Sequence, residues 1–177
     1  TFTADFEPPQ QKDLVIYELL LRDFLAEHDF KTLTDTLSYF KRLGINAIEL
    51  MPFNEFEGNK SWGYNPSFYF AVDKYYGPRN TLKAFIDAAH AEGIAVIQDI
   101  VLNHAYGQCS LVRLYADDMQ YNPWFNEKSP NTSYSWGFDF NHESEYTRSF
   151  VDSVLTFWLT EYKIDGFRFD FTKGFTN

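Results

Sequence analysis

Ile94-Ala95-Val96-Ile97-Gln98-Asp99-Ile100-Val101 is a nearly continuous, β-branched apolar run, the pattern of a strand covered on both faces, as in a parallel sheet flanked by helices. Immediately before it, Thr81 to Glu92 reads as a helix ended by Gly93,. Further upstream, Ile45 to Met51 is a second apolar run closed by Pro52, and Leu14 to Leu19 is a third. Between those two, Leu33, Leu37 and Phe40 recur at helical spacing, which predicts a helix from Thr32 to Leu43 stopped by Gly44,. Downstream, Phe150, Val151, Val154, Leu155 and Trp158 predict a helix from Glu145 to Tyr162, and Ile164 to Phe171 supplies a fourth strand,.

Strands that alternate with helices build βαβ units and a parallel sheet. Four such units in 177 residues are half of a (β/α)8 TIM barrel, which needs eight over roughly 250 residues. The expected fold is therefore α/β, a partial TIM barrel of the first four βα units. Two stretches stand outside the plain alternation. Residues 1–12, with Pro8-Pro9 and a polar Gln10-Gln11-Lys12, read as a linker or entry segment, with 13–177 forming the half barrel. Residues 105–142 are far longer than an ordinary connection and carry Gly107, Pro123, Trp124, Pro130, Trp136 and Gly137, so they read as a short domain inserted after the third strand. An open doubly wound sheet is the competing architecture. No Gly-rich phosphate loop follows the first strand, where Leu20-Leu21-Arg22-Asp23-Phe24 stands instead, so its nucleotide-binding form is unsupported.

Lys and Arg number 15 against 25 Asp and Glu, a formal charge of -10, which disfavours nucleic acid and anionic membranes as partners. No apolar run approaches the ~18 residues of a membrane span. Cys109 has no second cysteine to pair with,. The chain opens on Thr1-Phe2-Thr3 without a methionine, so cellular location stays open. Aromatic residues make up 20% of the chain, and many tyrosines and tryptophans fall in loop-like stretches, where a neutral carbohydrate can stack its apolar ring faces. An aromatic core accounts for the same composition.

Candidate polar groups cluster at the C-terminal ends of the predicted strands, the edge where barrel enzymes assemble their sites. With a period of two, Gly166, Arg168 and Asp170 share one face of the last strand and Phe167, Phe169 and Phe171 the other. The first face aims a guanidinium and a carboxylate into the barrel mouth, where the cation would orient Asp170 and favour its ionised form. The second can pack under helices. A buried Arg–Asp pair that only closes the sheet has the same signature. On the third strand Asp99, Val101 and Asn103 alternate onto one face and His104 follows at the exit, offering groups that hydrogen-bond sugar hydroxyls or hold a hard cation. Trp62-Gly63-Tyr64-Asn65-Pro66, after the second strand, can lay an aromatic ring against a sugar or simply anchor the loop. Glu18 and Arg22 read as structural polar groups of the barrel interior.

Two of these motifs carry a family resemblance. Asp99-Ile100-Val101-Leu102-Asn103-His104 is similar to the first conserved region of the α-amylase superfamily, glycoside hydrolase family thirteen, and Asp165-Gly166-Phe167-Arg168-Phe169-Asp170-Phe171-Thr172-Lys173 is similar to the second. Trp62-Gly63-Tyr64 with Tyr75-Tyr76-Gly77 resembles the loop after that family's second strand. The resemblance runs from Asp13 onward and implies retaining attack on α-glucosidic bonds of starch- or glycogen-like substrates. It makes Asp170 the catalytic nucleophile and Arg168 its partner. His104, Tyr64, Lys173 and Trp62 become ligands of an α-glucan or maltooligosaccharide, Asp99 a structural carboxylate, and Asn103 a ligand of a structural calcium, with no organic cofactor. Many members carry His after the lysine of the second region, where this chain has Gly174.

In the family the general acid is a Glu after the fifth strand. The expectation is therefore that residues 1–177 alone do not turn over substrate, and that the open edge promotes a homodimer or association with the missing C-terminal half. A branching or transglycosylating enzyme and a non-catalytic glucan-binding module are the alternatives.

Overall fold

The computed structural model describes residues 2–175. Its centre is a four-stranded, all-parallel sheet of β1 (Ile16–Leu19), β2 (Ala47–Leu50), β5 (Ala95–Ile100) and β8 (Gly166–Phe169), in the order β1-β2-β5-β8. Sequential strands are spatial neighbours, as successive βα units of a barrel require. The register sets Glu18 beside Glu49, Glu49 beside Ile97 and Ile97 beside Gly166. Two residues later it sets Asp99 beside Arg168. Because side chains alternate, these residues share the face that becomes a barrel's interior. The opposite face presents Ile48, Val96 and Ile100, all buried.

The helices reach that outer face from chain turns that the glycines close. At Gly44 the amide bonds Lys41 and the next amide, Ile45, reaches back to Phe40; Gly93 and Ile94 repeat this on His90 and Ala89. Both are Schellman turns, which end a helix and release the chain into the strand that follows. The second of these helices, α4 (Arg79–Ala91), buries Leu82, Phe85, Ile86 and Ala89. The last helix, α6 (Glu145–Glu161), buries Val154 and Trp158, and the Trp158 indole donates to the Tyr69 carbonyl at 2.8 Å.

Three features depart from the sequence reading. The helix expected at Thr32 to Leu43 is two, α2 (Phe30–Thr34) and α3 (Leu37–Arg42), preceded by the single turn α1 (Leu21–Phe24). Hydroxyls account for the break: Thr34 Oγ1 donates to the Phe30 carbonyl and Thr36 Oγ1 to that of Leu33, bonds that compete with a continuous helix. The apolar face survives, with Phe30, Leu33, Leu37 and Phe40 all buried. The long stretch after β2 is an antiparallel pair, β3 (Asn54–Phe56) with β4 (Pro66–Val72), whose register shifts twice at a bulge. It is tied to the barrel by Asn54, which accepts from Gln98 and donates to the Tyr69 carbonyl. Finally, the aromatic face of β8 is incompletely covered, and Phe169 stays 38% exposed. Among the described residues β8 has a strand neighbour only on the β5 side.

The inserted segment is clasped at its base by β6 (His104–Ala105) pairing antiparallel with β7 (Phe138–Asp139). Between them lie α5 (Ser110–Arg113) and a 3-10 turn at Met119–Tyr121. Phe125 stacks on Phe140 at 4.4 Å between ring centroids, giving the segment a small aromatic core. Residues 2–13 are largely irregular but docked: Thr3 bonds Asp87 through its amide and its hydroxyl, and Phe6 stacks on His90 at 4.3 Å.

Candidate active site

The polar groups converge at the C-terminal ends of β5 and β8. Asp99 is fully buried, and three bonds fix its carboxylate. Arg168 Nη1 lies 3.1 and 3.2 Å from its two oxygens, and the Tyr64 hydroxyl donates to Oδ2 at 2.7 Å. The same Nη1 contacts Asp170 Oδ1 at 2.5 Å. One guanidinium therefore bridges a buried carboxylate below and a more accessible one above, and charge assistance makes both contacts directional. Burial works against the charge on Arg168, but its bonds to Asp170 and Asp99 raise its pKa above the ordinary value. Burial is also the main reason that the Asp99 pKa is raised to about 6, against the lowering effect of Tyr64 and Arg168. Burial, and then the bond to Asp99, push the Tyr64 hydroxyl upward, which keeps it a donor.

His104 lies beside this cluster, also buried. Its Nε2 is 2.9 Å from the Tyr64 carbonyl and its Nδ1 is 3.0 Å from Asn103 Nδ2. A carbonyl can only accept, so Nε2 carries the proton; Nδ1 then accepts from the Asn103 amide. Burial lowers the imidazole pKa, in keeping with that neutral tautomer. This assignment also orients Asn103: with its NH2 on His104, its Oδ1 must face the other way, toward Gly174. That oxygen is buried without a hydrogen-bond partner. A Cβ placed on Gly174 would lie 1.4 Å from it, so the carboxamide occupies the space that any other residue at 174 would need.

Asn103 makes a poor calcium ligand in this setting. Its one oxygen, Oδ1, is turned onto the backbone of Gly174, where a Cβ would lie 1.4 Å from it, which leaves little room for an ion and the six to eight oxygens it takes. Asp139, which faces His104 across the β6–β7 pair, already accepts from Asn126 and Ser129. Among the described residues the one trio of His, Cys, Asp or Glu side chains close enough to share an ion is Glu18, Glu49 and Asp99, whose oxygens lie within 4.8 Å of one another on the barrel's inner face. The neighbouring Glu18, and burial more strongly, raise the Glu49 pKa.

The remaining candidates separate. Tyr64 joins the cluster through its hydroxyl and its backbone, whereas Trp62 projects at 58% exposure. Lys173 lies with its ammonium 5.7 Å from the centre of the Tyr134 ring, on the side of the inserted segment. Arg22, read as an interior group, instead pairs with the adjacent Asp23 and the Lys60 carbonyl, because the chain leaves β1 at Leu19 and turns into α1 before reaching it. The part of Asp99 as the hub under both Arg168 and Tyr64 was not legible beforehand. Its alternation with Asn103 placed it on the right face, but nothing local announces a bond to a residue 35 positions earlier.

Comparison with known proteins extends this picture. Residues 25–138 match the model of the α-amylase catalytic domain. The chain is 35% identical to the malto-oligosyltrehalose trehalohydrolase of Saccharolobus solfataricus over 91% of its length, covering 28% of that protein. It is 35% identical to a chloroplastic isoamylase of Zea mays over 90% of its length, covering 24% of that protein. The crystal structure of type I pullulanase from Bacillus subtilis, complexed with maltose, superposes with a TM-score of 0.83 at 30% identity, over 96% of this chain and 29% of the pullulanase. The chain thus spans less than a third of the length of each of these relatives. A match over most of the chain, together with a half-barrel sheet of the kind this fold requires, places it: the chain belongs to the α-amylase family, within the family's catalytic domain.

Proposed function

We propose that the enzyme carrying this chain cleaves α-glucosidic bonds with retention, and that Asp170 is its nucleophile. The observation that carries this reading is the Asp99–Arg168–Asp170 bridge, which presents one carboxylate at the barrel mouth in a fixed orientation. Asp170 would attack the anomeric carbon and form a glycosyl ester, which water then hydrolyses. The ring of Tyr64, with His104 held beside it by its bond to the Tyr64 carbonyl, would bind the sugar at the cleaved bond, and the similarity to a trehalohydrolase favours water as the acceptor.

Retaining chemistry needs a second carboxyl about 5 to 5.5 Å from the first to protonate the leaving oxygen. Asp99 cannot fill that role, being fully buried and saturated by Arg168 and Tyr64. We therefore expect residues 1–177 by themselves to bind an α-glucan without turning it over. The uncovered edges of the sheet, with Val15, Ile16 and Phe169 exposed, favour association with the other half of a barrel or with a second copy. A structural calcium at Asn103 is not part of this reading, because the donor set there does not fit one. The test is maltooligosaccharide hydrolysis by the enzyme carrying this chain. Asp170→Asn should abolish turnover while leaving oligosaccharide binding within a few-fold, and hydrolysis surviving that substitution refutes the assignment.

A further inference from the structure

One short stretch of chain, Tyr64 to Tyr69, holds His104 from two ends. At one end the imidazole Nε2–H meets the Tyr64 carbonyl at 2.9 Å. At the other the Tyr69 hydroxyl lies 2.7 Å from the His104 carbonyl. A carbonyl can only accept, so the phenol is the donor. Burial pushes the Tyr69 pKa well above its ordinary value, which keeps that proton in place. Tyr69 lies on β4 and is 2% exposed, out of reach of a substrate.

The bond falls where the backbone ladder supplies none. His104 faces Asp139 across the β6–β7 pair, and the Phe140 amide donates to the carbonyl of Asn103, not to that of His104. Residues in an antiparallel pair alternate between bonded and non-bonded partners, and His104 is of the second kind, so its carbonyl points away from β7. Tyr69 meets it there. The Tyr69 ring is itself gripped by Phe140, at 5.8 Å and 71°, and by Phe150, at 5.4 Å and 85°. Its carbonyl accepts from Asn54 Nδ2 at 2.9 Å and from the Trp158 indole at 2.8 Å. Groups on β3 and α6 thus fix β4 at this residue, and through it the chain leaving β5. The Tyr64 end is fixed as well: Gly63 has φ 92° and presses on the Pro52 carbonyl, where a Cβ would lie 2.2 Å away.

We infer that Tyr69 is a positioning residue for the reaction: by anchoring the His104 carbonyl it keeps the imidazole on Tyr64, and so sets where the Tyr64 ring meets the sugar and its hydroxyl meets Asp99. The inference rests on the proposed function, since the sugar in question is the one attacked by Asp170. Without the hydroxyl, a buried carbonyl loses its donor and the backbone at His104 shifts to find another. The imidazole then no longer fixes Tyr64.

The test is a double-mutant cycle in the enzyme that carries this chain, read as kcat/KM on maltoheptaose and as urea midpoints. Tyr69→Phe keeps the ring between Phe140 and Phe150 and removes only the donor. It should lower kcat/KM about tenfold where His104 is intact, and by less than about twofold when added to His104→Ala, because the imidazole that transmits the effect is gone. The urea midpoint should fall alike in both backgrounds, since the carbonyl is left unpaired in each. Tyr69→4-aminophenylalanine, which returns a weaker N–H donor to the same place, should reduce the loss to about threefold. If Tyr69→Phe folds too poorly to assay, that variant carries the comparison: a loss with His104 and none with His104→Ala supports the inference. Equal activity losses in both backgrounds, or an unchanged kcat/KM in Tyr69→Phe, overturn it and leave the proposed function standing. Hydrolysis that survives Asp170→Asn overturns the proposed function, and this inference with it.

Discussion

Replacing Asp99 by Asn isolates the energetics of the buried hub. The carboxyl is fully buried, and its pKa is raised from 3.8 to about 6, chiefly by burial. A folded-state pKa above the unfolded one means that the native protein keeps this proton while the unfolded chain releases it. Below about pH 3.8 both states are protonated and the group contributes no pH dependence. As pH rises from about 4 to about 6 the unfolded state is progressively favoured, and above that the full cost, about 3 kcal/mol from the difference in pKa, is in place. Asn cannot ionise, yet its Oδ1 can still accept from Tyr64 or Arg168. The stability of Asp99→Asn relative to the unsubstituted chain should therefore improve by up to about 3 kcal/mol between pH 3.5 and pH 7. Urea midpoints measured across that range for both proteins give the difference directly, with the carboxylates remote from Asp99 cancelling. A difference independent of pH, or one that moves against Asn as pH rises, refutes the reasoning and shows the Arg168 charge outweighing burial.

Gly174→Ala should destabilise by about 1 to 3 kcal/mol, because its Cβ would meet Asn103 Oδ1 at 1.4 Å,. Adding Asn103→Ala should recover part of that loss in a double-mutant cycle, whereas simple additivity contradicts the interlock. Trp158→Ala should cost about 3 to 5 kcal/mol, since it empties a fully buried ring site and takes the indole donor from the Tyr69 carbonyl,; a loss under 1 kcal/mol by chemical denaturation would count against the packing described. Millimolar calcium should leave the thermal midpoint unchanged, and a rise that disappears in Asn103→Ala would restore that residue as a metal ligand.

What the sequence revealed, and what it concealed, follows from the range of the interactions. The strands of the central sheet were readable because burial on both faces leaves unbroken apolar runs such as Ile94 to Val101. Arg168 and Asp170 could be placed together because residues two apart on an extended segment share a face. The split between α2 and α3 lay in hydroxyl bonds of Thr34 and Thr36, which hydrophobic periodicity does not register. The β3–β4 pair carries two register shifts and so lacks the clean alternation that marks a hairpin, and β6 and β7, of two residues each, are too short to leave any pattern. The links that complete the site join distant positions: Tyr64 to Asp99, Asn103 to Gly174, Tyr69 to His104. None has a local signature, although Gly174 after Lys173 was visible as a departure from the family pattern.

The proposed step is attack of an Asp170 carboxylate oxygen, oriented by Arg168, on the anomeric carbon as the glycosidic bond breaks. Incubating the enzyme that carries this chain with a slowly hydrolysed fluorinated α-glucosyl fluoride, followed by peptide mass spectrometry, tests it most directly. The account predicts one added glycosyl mass on the peptide containing Asp170, absent from Asp170→Asn. A label on any other residue, or turnover with no covalent intermediate and inverted product, would contradict it.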